Sequence, residues 1–368
     1  MTLSRGFVKR DVKTVGDRKK LIEKISSVLI PSGFREGYIA TVYDAKSSFP
    51  RDSYDDRIKF IDSDGSVLSL AEDAVTALLQ SAESEYGRIY GCCESYKFFG
   101  ENRNELTFAA LLAGVGGVEA EAELITVGVK IMEKLGIPVG EIRLGNTKVL
   151  QGVAESCLNK TVSKADIKRY LSGNIYSEED YSAIKLLQEI AAVKGGVSVI
   201  GTAAEKITNK QSVDGLISLF ELSKILGEYG FTDNVTFDLA YTGNFYDNGV
   251  TFLLCDVAGN KIIDGGRHDY FADGRVKRVV SLRLYPDYIL SIKPELRENE
   301  NDFDVAIGVA DGINALKAAY RLKNGLIEEG LKVTVTYKAE KDSFTKFAAE
   351  MKIENVIFID ADGNIKYE

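Results

Sequence analysis

The chain of 368 residues is short of the residue types from which many sites are built. It has one histidine, His268. That removes most histidine-rich metal sites and leaves room for a single histidine-based triad. It has four cysteines, Cys92, Cys93, Cys157 and Cys255. None stands in a C-x-x-C pair or at metal-ligand spacing, so no metal centre is expected. Adjacent Cys92 and Cys93 read as reduced core residues, the usage of the cytoplasm. No apolar run is long enough to span a bilayer. The basic start, MTLSRGFVKRDVK, lacks the apolar stretch of a signal peptide. Positive charge is in deficit as well. A formal net charge of −9 gives no general basic surface for nucleic acid. Gly114-Val115-Gly116-Gly117 has neither the spacing of a phosphate loop nor a dinucleotide fingerprint. It reads as a turn before a helix, and no cofactor is expected.

What is present organises itself around Val235–Phe271. This stretch reads as a β-meander: Val235–Ala240 alternates apolar and polar, and Phe245–Asp256 is aromatic and β-branched. Ala258-Gly259-Asn260 is turn chemistry, and Lys261–Ile263 starts a third strand. That strand runs into Gly265-Gly266-Arg267-His268-Asp269, where two glycines permit close backbone approach and an arginine can reach a bound group.

Before the meander, a helix is expected over Leu21–Leu29 and a strand at Tyr38–Tyr43. A hairpin follows from Arg57–Asp62 and Val67–Leu70, then a helix from Ala71 to Glu83. Arg88–Tyr96 and Leu106–Val115 are strands flanking a Phe98–Asn104 turn, and Asp44–Asp56 is a loop. Glu119–Leu135 is a helix closed by Gly136. Glu141–Leu144 is a short strand and Thr147–Ser156 a short helix. Residues from Leu158 to Gly230 form a helical block, with helices at Lys164–Leu171, Glu178–Val193, Ala203–Thr208 and Val213–Tyr229. After the meander come a strand at Val276–Tyr285 and a charged linker at Arg297–Asp302. Alternating strands and helices from Phe303 onward imply a small parallel α/β domain.

Taken in order, these signals resemble the histidyl-tRNA synthetase-like family of class II synthetase folds. Arg57–Val75 is similar to that family's hairpin. Arg88–Glu123 resembles its second class II motif, with Glu119-Ala120-Glu121-Ala122-Glu123 as the helix start. Ile142–Gly152 resembles the strand and helix after it. Phe245-Tyr246-Asp247-Asn248 stands where the family has Tyr-Tyr-Thr-Gly. Gly265–Asp269 matches Gly-Gly-Arg-Tyr-Asp, with His268 for Tyr. The C-terminal segment resembles a shortened anticodon-binding domain. The resemblance implies an α+β fold with an antiparallel sheet core over 1–296, a helical insertion at 158–230 and a small C-terminal α/β domain over 303–368.

The departures from the family pattern carry the functional expectation. Aminoacylation needs arginines aimed where negative charge develops. Lys97 stands nearest the second-motif arginine and lacks its bidentate fork. No arginine lies within Asp238–Asn244, where the family has one. Val279–Leu284 offers Arg283 for the third, in an eroded pattern. The segment Leu70–Val75 keeps Asp73 as an amine acceptor, but Leu106–Gly114 has no group to read an imidazole. Pocket candidates are therefore Asp73, Lys97, Tyr246, Gly265, Gly266, Arg267 and His268. Asp269 could orient His268 for function. Five of the candidates have a structural alternative: Asp73 as a helix cap, Lys97 as a solvated loop residue, Tyr246 as core, Arg267 in a strand-end salt bridge, and His268 as a polar residue near a pocket rim. From Phe303 onward Asp and Glu outnumber Lys and Arg, a poor surface for tRNA.

Within the family, one branch lacks synthetase activity and assists ATP phosphoribosyltransferase. Resemblance to it implies no catalytic residue here, a short-form catalytic subunit of that enzyme as partner, a homodimer inside a larger hetero-oligomer, and a part in histidine feedback. The alternatives are a divergent histidine–tRNA ligase and a stand-alone metabolite-binding paralogue.

Overall fold

Local chemistry accounts for the main elements of the computed structural model, which describes residues 7, 12–45, 57–81, 87–97, 104–172, 181–272, 275–297 and 303–367. The chain divides into Met1–Pro294 and Glu295–Glu368. In the first unit the elements run α1 (Val12–Leu29), β1 (Arg35–Glu36), β2 (Val42–Asp44), β3 (Lys59–Ile61), β4 (Val67–Leu70), α2 (Ala74–Ser81), β5 (Gly87–Tyr96), β6 (Asn104–Ala113), α3 (Glu119–Lys134), β7 (Val139–Asn146) and α4 (Thr147–Leu158). They continue with α5 (Lys164–Leu171), α6 (Tyr181–Ala191), β8 (Lys194–Gly195), α7 (Ser198–Ala204), α8 (Lys210–Glu228), β9 (Val235–Asp238), β10 (Val250–Asp256), β11 (Lys261–Arg267), β12 (Tyr270–Ala272), β13 (Arg275–Lys277), β14 (Val279–Leu284) and α9 (Pro286–Ile292).

Nine strands form one sheet in the order β1-β5-β6-β14-β11-β10-β7-β9-β8. Its six central strands, from β5 across to β7, pair antiparallel throughout. Strands β1 and β9 join in parallel on either side of them. Helix α3 packs on one face. Glu119 and Glu121 in its first turn suit the helix dipole, and Gly136, at φ +67°, ends it. A Cβ on Gly128 would come within 2.6 Å of Leu254 Cδ1, so glycine lets the helix lie close to the sheet.

The structure corrects several boundaries. There is no meander at residues 235–271. Strand β9 pairs with β7, which separates it from β10. Residues 241–249 form a loop: the Asp247 carboxylate accepts the Asn244 N–H at 2.6 Å, and Gly243 takes φ +65°. The expected strand Tyr38–Tyr43 shortens to β2, because the chain pairs with β5 earlier, as β1, and then leaves it to join β4 in a separate three-stranded sheet. The strand Val276–Tyr285 breaks at Arg278, whose carbonyl accepts the Gly114 N–H; β13 pairs with β12, and β14 enters the large sheet. The helix expected at Ala203–Thr208 lies earlier, as α7. The Phe98–Asn104 turn, the Asp44–Asp56 loop and the Arg297–Asp302 linker fall largely outside the described residues.

The second unit contains β15 (Val305–Val309), α10 (Ile313–Glu328), β16 (Val333–Tyr337), α11 (Lys341–Glu350), β17 (Asn355–Ile359) and β18 (Ile365–Tyr367). Its sheet order is β16-β15-β17-β18, with the first three parallel and β18 antiparallel. Strand β18 has no counterpart in the sequence reading. Val305, Ile307 and Val309 pack with Ala315 and Ala319 of α10, while Ala306 meets Phe344 and Ala348 of α11. The period-two alternation of β15 thus feeds two apolar layers.

Candidate functional site

Strand parity decides which residues meet at the site. Leu254, Ile263 and Leu282 point to α3. Their neighbours Leu253, Asp264 and Arg283 therefore point to the opposite face. Pairing aligns Arg143, Leu253, Asp264, Arg283 and Ala109 in one row across five strands. Over this row opens a cleft of about 640 Å³, lined by Glu105, Tyr241, Asn244, Leu253, Asp264, Arg283, Tyr285 and Tyr288, among others.

Arg283 is the floor of the cleft. Its Nε and Nη2 donate to Asp264 Oδ1 and Oδ2 at 3.0 and 2.8 Å, a bidentate pair. Nη2 also donates to Asn244 Oδ1. Nη1 lies 3.6 Å from Asp73 Oδ2, and the guanidinium stands 5.1 Å from the centroid of the Tyr285 ring. Burial opposes the charge, but Asp264 and its neighbours hold the guanidinium above its ordinary pKa. Burial also raises the phenols of Tyr241 and Tyr285, which stay neutral.

Asp73 caps α2. Its Oδ1 accepts the Thr76 N–H at 2.7 Å and faces the Thr76 hydroxyl at 3.1 Å, while Oδ2 is left toward Arg283. Tyr246 packs against Ala74, Val75 and Leu78 and lies in the field of Arg283, Asp73, Asp247 and Asp264. Its buried hydroxyl has no hydrogen-bond partner. His268 is 1% exposed and meets the Tyr246 ring edge-on, with centroids 5.3 Å apart. The carboxylate beside it is Asp247, at 3.9 Å from Nδ1. The Asp269 side chain lies instead 3.5 Å from Arg267 Nη1. Asp247 Oδ1 and Ser281 Oγ are buried there without partners. A Cβ on Gly266 would lie 3.0 Å from Asp247 Cγ, so this glycine lets Asp247 sit against the sheet.

Arg267 and Gly265 belong to the other face. Both lie inside β11, not beyond its end. Arg267 donates to Glu121 Oε1 and Oε2 at 2.7 Å each and to the carbonyls of Val115 and Gly117. It is a buried strut between β11 and the start of α3, turned away from the cleft. Lys97 forms an isolated bridge with Arg57 and does not line the cleft. The structure therefore gathers Asp73, Tyr246, Gly266 and His268 on the cleft face of the sheet, beside the cavity and not in its lining, and leaves Gly265, Arg267 and Lys97 elsewhere.

Sequence reasoning missed Asp264, Asn244, Tyr241, Tyr285 and Tyr288. Alternation within β11 carries the signal for Asp264, two residues before Gly266 on the same face. The loop holding Asn244 and Tyr241 is pinned from the helical insertion. Lys164 Nζ donates to the carbonyls of Thr242 and Asn244 at 2.9 and 2.6 Å, and Thr147 Oγ1 donates to Thr242 O. No group of three or more His, Cys, Asp or Glu among the described residues is placed to hold a metal. No helix among them is long and apolar enough to cross a membrane.

An antiparallel sheet backed by a long helix, with a cleft on its open face and a small α/β unit at the C-terminal end, is the architecture of the class II synthetases. The chain belongs to the histidyl-tRNA synthetase family, whose model matches residues 39–278. It is 22% identical to the ATP phosphoribosyltransferase regulatory subunit of Clostridium acetobutylicum, over 84% of this chain and 82% of that one. It is 24% identical to the protein of the same name from Ruminiclostridium cellulolyticum, over 93% and 88%. Its fold is similar to the crystal structure of an ATP phosphoribosyltransferase regulatory subunit/histidyl-tRNA synthetase from Bacillus halodurans, with TM-score 0.78, 16% identity and coverage of 97% and 98%. It is also similar to histidyl-tRNA synthetase from Nostoc, with TM-score 0.72, 16% identity and coverage of 100% and 94%.

Proposed function

We propose that this chain is a non-catalytic regulatory subunit of ATP phosphoribosyltransferase. It works in the cytoplasm as a homodimer within a larger assembly, binds a short-form catalytic subunit and takes part in feedback by histidine. The observation that carries this reading is the state of Arg283. Adenylate chemistry needs guanidinium groups free to meet phosphate and carboxylate oxygens. Here the arginine of the cleft floor is already held by Asp264, Asn244 and Asp73. Releasing it would leave the half-buried Asp264 carboxylate without its bidentate partner, a cost of about 2 kcal/mol. The names of the relatives from Clostridium and Ruminiclostridium favour the same reading. Asp73, Tyr246 and His268 then support the pocket from beneath, Asp73 through Arg283.

The test is direct. The purified chain is mixed with a short-form ATP phosphoribosyltransferase, and phosphoribosyl transfer from phosphoribosyl pyrophosphate to ATP is followed. Stimulation is expected; an unchanged rate rejects the regulatory role. The likeness to the Nostoc synthetase keeps a divergent histidine–tRNA ligase as the second reading. Histidine-dependent ATP–pyrophosphate exchange separates the two, and robust exchange would establish the ligase.

A further inference from the structure

We infer that the cleft over Arg283 is a binding site for a small organic cation, an amine or guanidinium compound whose inserted end bears no carboxylate or phosphate. The inference rests on the non-catalytic reading only in treating the cleft as a place of binding and not of reaction.

Three observations carry it. First, the donors of Arg283 are directed at protein acceptors: Nε at Asp264, Nη2 at Asp264 and Asn244, and Nη1 toward Asp73. An entering anion meets a guanidinium with its fork occupied. Second, two carboxylates, Asp264 and Asp73, converge on this one guanidinium, so the floor carries an excess of negative charge. Glu105 is a second carboxylate of the lining beside Asp264, with Asp73 buried behind Arg283, while the cationic Lys261 stands exposed in solvent. Third, Tyr241, Tyr285 and Tyr288 bring three aromatic rings to one cavity, the surface that attracts a cation by its quadrupole. About 640 Å³ accommodates a molecule of amino-acid size or larger, in the range of small-ligand sites.

Calorimetric titration of the full chain with agmatine, histamine, ATP and citrate tests the assignment. Agmatine or histamine is expected to bind, and ATP and citrate are not. Asp264→Asn should weaken the cation by about ten- to a hundredfold, the worth of one charge-assisted contact. Tyr288→Ala, a change on the cleft wall that leaves the buried floor intact, should weaken it by about tenfold or less. Binding of ATP or citrate in preference to the cations would overturn the inference. So would the absence of cation binding at millimolar concentration, or cation binding that neither substitution alters. Each result is independent of phosphoribosyl transfer, so the cleft can fail this test while the regulatory role stands, and the reverse.

Discussion

Two arginines on opposite faces of one sheet show how the same side chain serves different ends. Arg267 and Arg283 sit on neighbouring strands, and each makes a bidentate pair with a carboxylate. The Arg267 pair with Glu121 is dry on both sides, with side chains 8% and 0% exposed. It ties β11 to the first turn of α3 and has no route to a ligand. The Arg283 pair with Asp264 is 11% and 21% exposed and forms the floor of a cleft. One pair holds helix to sheet; the other sets the charge of a cavity. Identity of the residue does not separate these roles. The parity of its position along the strand does.

The largest effect expected from breaking this comparison is at Arg267. Arg267→Ala leaves the buried Glu121 carboxyl without its partner, which costs about 3–5 kcal/mol in urea unfolding. Arg283→Ala should cost less, about 2 kcal/mol, because Asp264 reaches water. A larger loss at Arg283 than at Arg267 would reverse the assignment of roles. The adjacent glycines give a second contrast of the same kind. A Cβ on Gly265 would lie 2.2 Å from Ser281 O and 2.3 Å from Phe252 Cζ, against backbone and ring atoms that cannot yield. Gly265→Ala should destabilise by about 3 kcal/mol. On the cleft side, a Cβ at Gly266 meets Asp247 Cγ and Val250 O at 3.0 Å, so Gly266→Ala should cost about 1 kcal/mol and show its effect in the His268 ring signals. Equal losses at the two glycines would remove the distinction between faces.

Much of the frame was legible in the sequence. Helix α3 declares itself through an acidic start, an apolar stripe and a terminal glycine, and β6 through an apolar run. The order of motifs carried the family. The site was legible only in part. Gly265 and Gly266 were placed at a strand end, but they lie within β11, and this shift is what concealed which of Asp264 and Arg267 faces the cleft. Strand β9 was read beside β10 because they are close in sequence. Its true neighbour, β7, lies far earlier in the chain, and parallel pairing of that kind leaves no local signature. Asn244 and Tyr241 reach the cleft through a loop fixed by Asp247, Thr147 and Lys164, contacts that periodicity does not encode.

Lys164 provides a smaller test of whether the insertion and the cleft act together. Lys164→Met removes the two bonds to Thr242 and Asn244. It should lower stability by about 1 kcal/mol. Amide exchange should quicken at residues 242–247 while β14 keeps its protection. Unchanged exchange in the loop would show that the Asp247 cap alone fixes it.

The smallest effect concerns a turn used in both units. Asp256 in the first and Asp360 in the second each accept two backbone N–H groups from the residues that follow and pair with an Asn side chain. At Asp256 burial pulls the carboxyl up, and the bonds from Asn260 and Ala258 bring it below its ordinary value. At Asp360 the bonds from Asn364, with Lys366 nearby, pull the carboxyl down to about 2. A depressed folded pKa contributes stability above the unfolded value of about 3.9 and loses it as pH falls through the folded value. NMR titration of the Asp360 carboxyl should therefore inflect near 2. Pairing of β18 should loosen across the same acid range, and Asp360→Asn should flatten that dependence while leaving the large sheet of the first unit unchanged. An inflection at the ordinary aspartate value would mean that the turn in the second unit is held by its backbone alone.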